Sequence, residues 1–239
     1  MLLLFDIDGT LLLKAAAEHK AALYEGLRVA HGRAFAEVPV ETAGRTDPAI
    51  ARSILVNAGV DAAAIDRRRG LWADATCEAY ARACPRDLTD KVAPGVPEAL
   101  EALRGAGHTC SLLTGNLEPI ARLKLGRAGL GTCFARGQGG FGSDHEDRAA
   151  LPEVARRRAS LRAHEGRHHA HARRDTVVIG DTPLDIACAR ADGVRVIAIA
   201  TGPFGVAALQ DADIVVRHAG ELPAAVAELA AGGAGRRSP

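Results

Sequence analysis

The stretch Leu2-Leu3-Leu4-Phe5-Asp6-Ile7-Asp8-Gly9-Thr10-Leu11 decides the reading of this chain. An apolar run of strand length stops at two carboxylates spaced i, i+2, and a glycine follows. A short apolar run bounded by turn residues reads as a buried β-strand. Side chains two apart on an extended chain share a face, so Asp6 and Asp8 are expected to project together just past the strand end. Two like charges that close are costly unless a cation or a proton offsets them. The stretch therefore implies a metal site, an acid–base pair, or both.

The same pattern returns along the chain. Cys110-Ser111-Leu112-Leu113 ends in Thr114-Gly115-Asn116, and Thr176-Val177-Val178-Ile179 ends in Gly180-Asp181-Thr182-Pro183-Leu184-Asp185. Two further strands are expected over 194–199 and 213–216. Helical segments separate them. One opens at Pro97, carries Leu100 and Leu103 and closes at Gly107, with proline just inside the start and glycine just past the end. Others begin near Glu118-Pro119 and after Asp185. Strands alternating with helices predict an α/β fold, a Rossmann-like doubly wound parallel sheet. Ligands of such sheets bind outside the carboxyl ends of the strands, where the first three strands carry their polar, glycine-containing ends.

From Lys14 to about Arg82 the chain is Ala-rich and helical in period, with breaks near Pro39 and between Gly44 and Pro48. Val29, Val38, Ile54, Leu55, Ile65, Leu71 and Trp72 are its expected apolar positions. The expected organisation is a core of 1–13 and 90–231, a helical insert of 14–89, and a frayed tail over 232–239.

Composition narrows the class. Hydrophobic residues make up 48% of 239 residues, enough for a sizeable core. Aromatics are only 3%, so Ala, Leu and Val must fill it. A net charge of +1 gives no global pull toward nucleic acid or an anionic membrane. Five cysteines without a Cys-x-x-Cys pair fit reduced thiols in a cytoplasmic protein. The first apolar run is too short for a membrane span and lacks the basic flank of a signal peptide. Segment 156–174 is dense in Arg and His, including His168, His169 and His171, but lacks Cys or carboxylate partners at zinc-ligand spacing. It reads as a solvated helix and loop.

Asp6-Ile7-Asp8-Gly9-Thr10-Leu11, Leu113-Thr114-Gly115-Asn116 and Gly180-Asp181-Thr182-Pro183-Leu184-Asp185 together resemble three of the four motifs of the haloacid dehalogenase superfamily, in order. The resemblance covers nearly the whole chain. The helical insert after the first motif looks like the helical cap of phosphoglycolate phosphatase-like members. The implied activity is a Mg²⁺-dependent phosphatase acting on a small phosphorylated metabolite.

By this resemblance, Asp6 is the nucleophile that forms an aspartyl-phosphate. Asp8 is the general acid for the leaving oxygen and then the base for the hydrolytic water. The resemblance makes Asp6, the backbone carbonyl of Asp8 and Asp181 the Mg²⁺ ligands, with Asp185 direct or behind them. Thr114 and the amides of Gly115 and Asn116 are implied to hold phosphate oxygens, beside a helix N-terminus that favours anions. Thr114 or Asn116 could also cap that helix.

The remaining motif is a Lys or Arg that neutralises phosphate, often a Lys followed by Pro. This chain has no such pair, and two candidates stand in its place. Arg148 falls about where the family's Lys would, after Phe134. Lys124 lies in the middle of an apolar helical face formed by Ile120, Ala121, Leu123, Leu125 and Ala128, and its side chain would lean back toward the helix N-terminus. Arg148 is slightly favoured. In the insert, Gly44-Arg45-Thr46-Asp47 looks like a cap loop, and Arg45 is a candidate for a substrate anion or a solvated turn residue. Asp8 argues against a 2-haloacid dehalogenase. The absence of a Lys in the cap loop argues against a phosphonatase. A phosphomutase shares Asp6 and Asp8 and stays open as an alternative, as does a non-catalytic binding module on the same fold.

Overall fold

The computed structural model describes residues 1–162 and 171–234. Its elements follow in chain order: β1 (Leu2–Phe5), α1 (Ala17–His31), α2 (Asp47–Asn57), α3 (Ala62–Ala83), α4 (Val96–Gly105), β2 (Thr109–Thr114), α5 (Glu118–Arg127), β3 (Gly140–Phe141), α6 (Leu151–Arg162), β4 (Thr176–Gly180), α7 (Pro183–Asp192), β5 (Arg195–Ile199), β6 (Ile214–Val216) and α8 (Leu222–Ala234).

β1 is wholly buried because both of its faces are covered. Leu3 and Phe5 pack into one apolar cluster, and Leu2 and Leu4 into a second on the opposite face. Full burial of a Leu side chain stabilises by about 1.5–3 kcal/mol, so this short strand is a strong anchor. It pairs in parallel with β2 on one side and β4 on the other. The six-stranded sheet has the order β3-β2-β1-β4-β5-β6, all parallel. The chain therefore leaves β1 toward one edge and later returns to its other side. That reversal opens a crevice at the carboxyl ends of β1, β2 and β4, and the three polar signatures meet there.

The helices start where the chemistry favours a start. Thr46 and Asp61 accept from the amides of Ala49 and Ala64 at the heads of α2 and α3. Thr182 and Asp185 form a reciprocal capping box at α7. Left-handed Gly32 and Gly193 end α1 and α7. α1, α2 and α3 lie between β1 and β2 in sequence and contribute no strand to the sheet.

Several expectations are corrected. Val29 and Leu71 are 42% and 53% exposed, not core. Both stand on the outer faces of α1 and α3, whose inner faces are filled by Leu23, Leu27, Ile65 and Trp72. β3 was not anticipated, because two residues give too little pattern to read. α8 runs through Gly232 to Ala234, past the expected start of the tail. Of the Arg/His segment, Arg156 is not solvated but pairs with Asp192 at 2.7 Å. His168 and His169 lie outside the described residues. No described helix is long and apolar enough to cross a membrane.

Candidate active site

Asp6 leaves the end of β1 with its amide donating to Ile179 O of β4 at 2.9 Å. The sheet thus fixes this carboxylate beside Asp181, just past the end of β4. Carboxylate oxygens of Asp6, Asp181 and Asp185 all lie within 4.8 Å of one another, and all three residues are buried. The backbone leaves no slack around them. A Cβ on Gly9 or Gly202 would stand 2.1 or 1.7 Å from Asp181 Oδ2, and Gly9 adopts φ +87°. The Thr201 hydroxyl donates to Gly9 O at 2.6 Å. Thr201, Gly202 and Pro203 after β5 look like a plain turn in sequence, yet they help form this wall.

Arg148 is the cation of this cluster. It stands 7% exposed, 3.4 Å from Asp6 Oδ2, and donates to Asp185 Oδ1. Asp185 Oδ2 accepts from the Thr182 amide and hydroxyl. Both Asp185 oxygens are therefore already hydrogen-bonded, and its carboxylate ties Arg148 and the head of α7 to the cluster. Asp181 Oδ1 accepts from Thr10 at 3.1 Å, while Asp181 Oδ2 is buried without a partner. Arg148 Nε is a buried donor without a partner. Burial pushes the Asp6 carboxyl up to about 6, with Arg148 opposing and Asp185 and Asp8 adding. Burial, then Asp6 and Asp185, push Asp181 up to about 8. An unpaired buried carboxylate oxygen, a free donor and two reluctant acids are what a hard dication and a phosphate would relieve.

Asp8 has a separate arrangement. Lys124, fully buried on α5, donates to both Asp8 oxygens at 2.8 and 2.7 Å and to Asn116 Oδ1 at 2.9 Å. Asn116 Nδ2 donates to Asp8 Oδ2 and to Thr114 Oγ1, both at 2.8 Å. Burial alone would raise the Asp8 carboxyl, but the charge and hydrogen bonds of Lys124 outweigh it and hold Asp8 below its ordinary value. Its side chain is 32% exposed, so the carboxylate still reaches the cavity. The expected conflict between Asp6 and Asp8 is thus resolved by two cations, one for each. Arg148 and Lys124 are both in the site.

Two contributors went unread in the sequence. His19 of α1 joins Lys124 Nζ at 3.2 Å and Asp47 Oδ2 at 3.0 Å, edge-on to Tyr80 of α3. Asp47 Oδ2 also accepts from the Leu117 amide at 2.8 Å, and Ser143 Oγ accepts from the Glu118 amide. These two side chains satisfy the head of α5, so the capping reading of Thr114 and Asn116 is set aside. His19 could have been found by the argument that found Lys124: it falls on the buried stripe of α1 with Ala22, Leu23, Gly26 and Leu27.

The loop from Gly44 to Asp47 does reach the site, through its backbone and the Asp47 carboxylate. The Asp47 amide donates to Gly115 O at 2.8 Å, and a Cβ on Gly115 would lie 2.1 Å from Arg45 O. The Arg45 guanidinium is not free for a substrate. It donates to Glu41 O, Ala49 O and Ser53 Oγ within its own segment. Between this loop, α1 and α2 on one side and the strand ends on the other lies a cavity of ≈ 670 Å³. Asp6, Asp8, Thr114, Gly115, Asn116, Arg148 and Asp181 line it. Trp72 and Tyr80 are buried and stand outside that lining.

The family model for haloacid dehalogenase-like hydrolases matches residues 3–190. The chain matches no protein of curated function. Among solved structures, a predicted phosphatase from Clostridium acetobutylicum superposes with TM-score 0.63 at 18% identity, over 95% of this chain and 98% of its own. A β-phosphoglucomutase from Clostridium difficile gives 0.62 at 13% identity, over 98% of both chains. A predicted phosphoglycolate phosphatase from Haemophilus somnus gives 0.56 at 17% identity, over 92% and 95%. At these identities the likeness establishes the fold.

Proposed function

Because the chain belongs to the haloacid dehalogenase-like hydrolases, we propose that it is a Mg²⁺-dependent phosphatase of a small phosphomonoester. The observation that carries this reading is the convergence of Asp6, Asp181 and Asp185 within 4.8 Å, with Asp181 Oδ2 unpaired beside a buried Arg148. An all-oxygen donor set suits Mg²⁺, which keeps several waters and takes few carboxylates. Asp6, Asp181 and the Asp8 carbonyl would hold it, with Asp185 locked behind by Arg148 and Thr182. When bound, the dication neutralises phosphate charge and orients the phosphoryl group.

The residues divide the remaining work. Asp6 attacks phosphorus and becomes the aspartyl-phosphate. Arg148 and Thr114, with the amides of Gly115 and Asn116, bind the equatorial oxygens, where fixed donors stabilise developing charge. Asp8 protonates the departing oxygen and then takes a proton from the hydrolytic water. Lys124 favours the ionised form of Asp8, the form needed for the second half of the cycle. We further propose that residues 14–89 form a cap on a core of 1–13 and 90–231, closing through the contact of Asp47 and Arg45 with Gly115 and excluding water from the reacting phosphate. The five cysteines are free thiols, in keeping with a cytoplasmic setting.

The test is release of inorganic phosphate from an aryl phosphate with Mg²⁺, its loss on chelation, and its return on adding the metal back. Assaying hexose phosphates for both phosphate release and isomer formation separates a hydrolase from a phosphomutase. Full turnover after chelation overturns the metal assignment.

A further inference from the structure

The cavity over the phosphate site is divided by chemistry. Its floor is polar and belongs to the strand ends. Its roof and walls are mostly apolar: Leu12, Leu13, Leu23, Tyr24, Ile50 and Ile54 stand there with small Ala side chains between them, alongside a few polar groups such as His19, Thr42 and Asp47. At ≈ 670 Å³, the space lies in the range of pockets that enclose drug-sized ligands. A phosphate carrying two carbons would leave most of it to water held against hydrocarbon.

The cations of the roof decide what the leaving group carries. Besides Arg148 at the floor, three Lys or Arg residues line the cavity among the described residues: Lys14, Lys20 and Arg45. Lys20 is paired with Glu37. Arg45 donates to uncharged acceptors of its own segment, the carbonyls of Glu41 and Ala49 and the Ser53 hydroxyl, which hold its guanidinium in place. Lys14 is solvent-exposed, where an ion pair contributes little. A leaving group with its own carboxylate or second phosphate would therefore have to draw Lys20 or Arg45 away from the partners it already holds, or rely on exposed Lys14. A polyhydroxylated sugar would meet hydrocarbon where its hydroxyls need partners.

We propose that the substrate is the phosphomonoester of a bulky, uncharged alcohol whose carbon skeleton packs against Leu13, Leu23, Ile50 and Ile54. This inference rests on the phosphatase reading and extends it to substrate class. Apolar burial alone then sets the selectivity. Each added methylene is worth about a fourfold gain in transition-state binding until the roof is filled.

The experiment is a homologous series of n-alkyl phosphates, propyl to octyl, hydrolysed by the full-length chain with Mg²⁺. Leaving-group basicity is nearly constant along it, so chain length is the only variable. The expected result is kcat/KM rising about fourfold per methylene and then levelling, with 2-phosphoglycolate and glucose 6-phosphate below hexyl phosphate. In Ile50→Thr, and independently in Leu23→Ala, the slope should flatten. A flat or falling series, or phosphoglycolate or glucose 6-phosphate turned over faster than the longer alkyl phosphates, overturns the proposal and leaves the phosphatase reading intact. Binding of non-hydrolysable n-alkyl phosphonates, measured by calorimetry, gives a second readout. A Kd falling along that series supports the apolar roof even if no phosphate is released, an outcome that would sink the phosphatase reading alone. A Kd independent of chain length sinks the roof assignment.

Discussion

Two charge clusters flank the proposed phosphate site, and they are balanced differently. In the first, Asp6, Asp181 and Asp185 face a single cation, Arg148. Three carboxylates against one guanidinium leave an excess of two negative charges when all are ionised. The strain shows as raised Asp6 and Asp181 carboxyls and an unpaired Asp181 oxygen. In the second, Asp8 and Asp47 are met by Lys124, Asn116, His19 and the head of α5. Here Asp8 is held below its ordinary value. The first cluster is drawn from strand ends and lacks charge, so it gains from a dication. The second joins α1 and α2 to α5 and is nearly self-sufficient. Asp6 and Asp181 thus shift upward and Asp8 downward, and the ratio of carboxylates to cations decides which.

The largest effect should come from breaking the first cluster at its centre. Asp6→Asn keeps the shape and removes the nucleophile, so Mg²⁺-supported phosphate release should fall by at least about 10⁴-fold. Unchanged turnover in that variant would move the nucleophile elsewhere. Breaking the second cluster at Asp8 should cost less, about 10²–10⁴-fold, and should depend on the leaving group. Alkyl phosphates, which need a proton, should lose more in Asp8→Asn than p-nitrophenyl phosphate does; equal losses on the two substrates would deny Asp8 the acid role. Lys124→Met removes one partner of a buried pair and should destabilise by about 3–5 kcal/mol in urea unfolding. The double variant with Asp8→Asn should lose less than the two single losses summed. Strict additivity would mean that Lys124 and Asp8 are neighbours without coupling.

The first cluster was far more legible in sequence than the second. Its carboxylates follow continuous apolar strand runs, and such a run with a polar stop is a strong local signal. Lys124 was visible for a related reason, a charge centred on an apolar helical stripe. His19 carries the same signal on α1, but nothing in the sequence brings that helix of the insert to the strand ends. Asp47 is silent in its loop sequence, since its carboxylate accepts from the head of α5, 70 positions away. The sequence leaves Arg45 open between a substrate contact and a solvated turn, because loop sequence does not reveal the carbonyls of Glu41 and Ala49 that it meets. Val29 and Leu71 show the limit of composition: an Ala-rich helix offers many small residues to bury, so the larger apolar ones are not forced inward.

The metal should sharpen the contrast as pH changes. Asp6 and Asp181 have folded values near 6 and 8, above the ordinary 3.8. Their raised values contribute stability that is full below about 3.8 and is lost as pH rises through 6 and then 8. A dication offsets that loss by replacing the protons. The rise in Tm on adding Mg²⁺ should therefore be small near pH 5 and grow toward pH 8, measured at fixed metal concentration. Asp181→Asn should remove most of this growth, and Lys124→Met should leave its pH dependence in place. A metal-induced rise in Tm that is constant across the window would mean the carboxylates of the first cluster do not exchange protons for the ion.

The smallest expected effect tests what His19 contributes. With a Lys ammonium 3.2 Å from Nδ1 and a carboxylate 3.0 Å from Nε2, the ring accepts at Nδ1 and donates at Nε2, a tautomer assigned from its neighbours. Asn at this position can place its oxygen near Nδ1 and keep the acceptor for Lys124, losing only the link to Asp47. His19→Asn should therefore cost about 1 kcal/mol in urea unfolding, and His19→Leu about 1–3 kcal/mol, since it strands one direction of Lys124 and the Asp47 link together. Leu, however, restores more of the apolar contact with Tyr80, whose ring centroid lies 5.5 Å from that of His19. The order of the two variants therefore discriminates. If Leu proves milder than Asn, packing against Tyr80 holds α1 to the second cluster, and the hydrogen bonds through His19 follow from that packing.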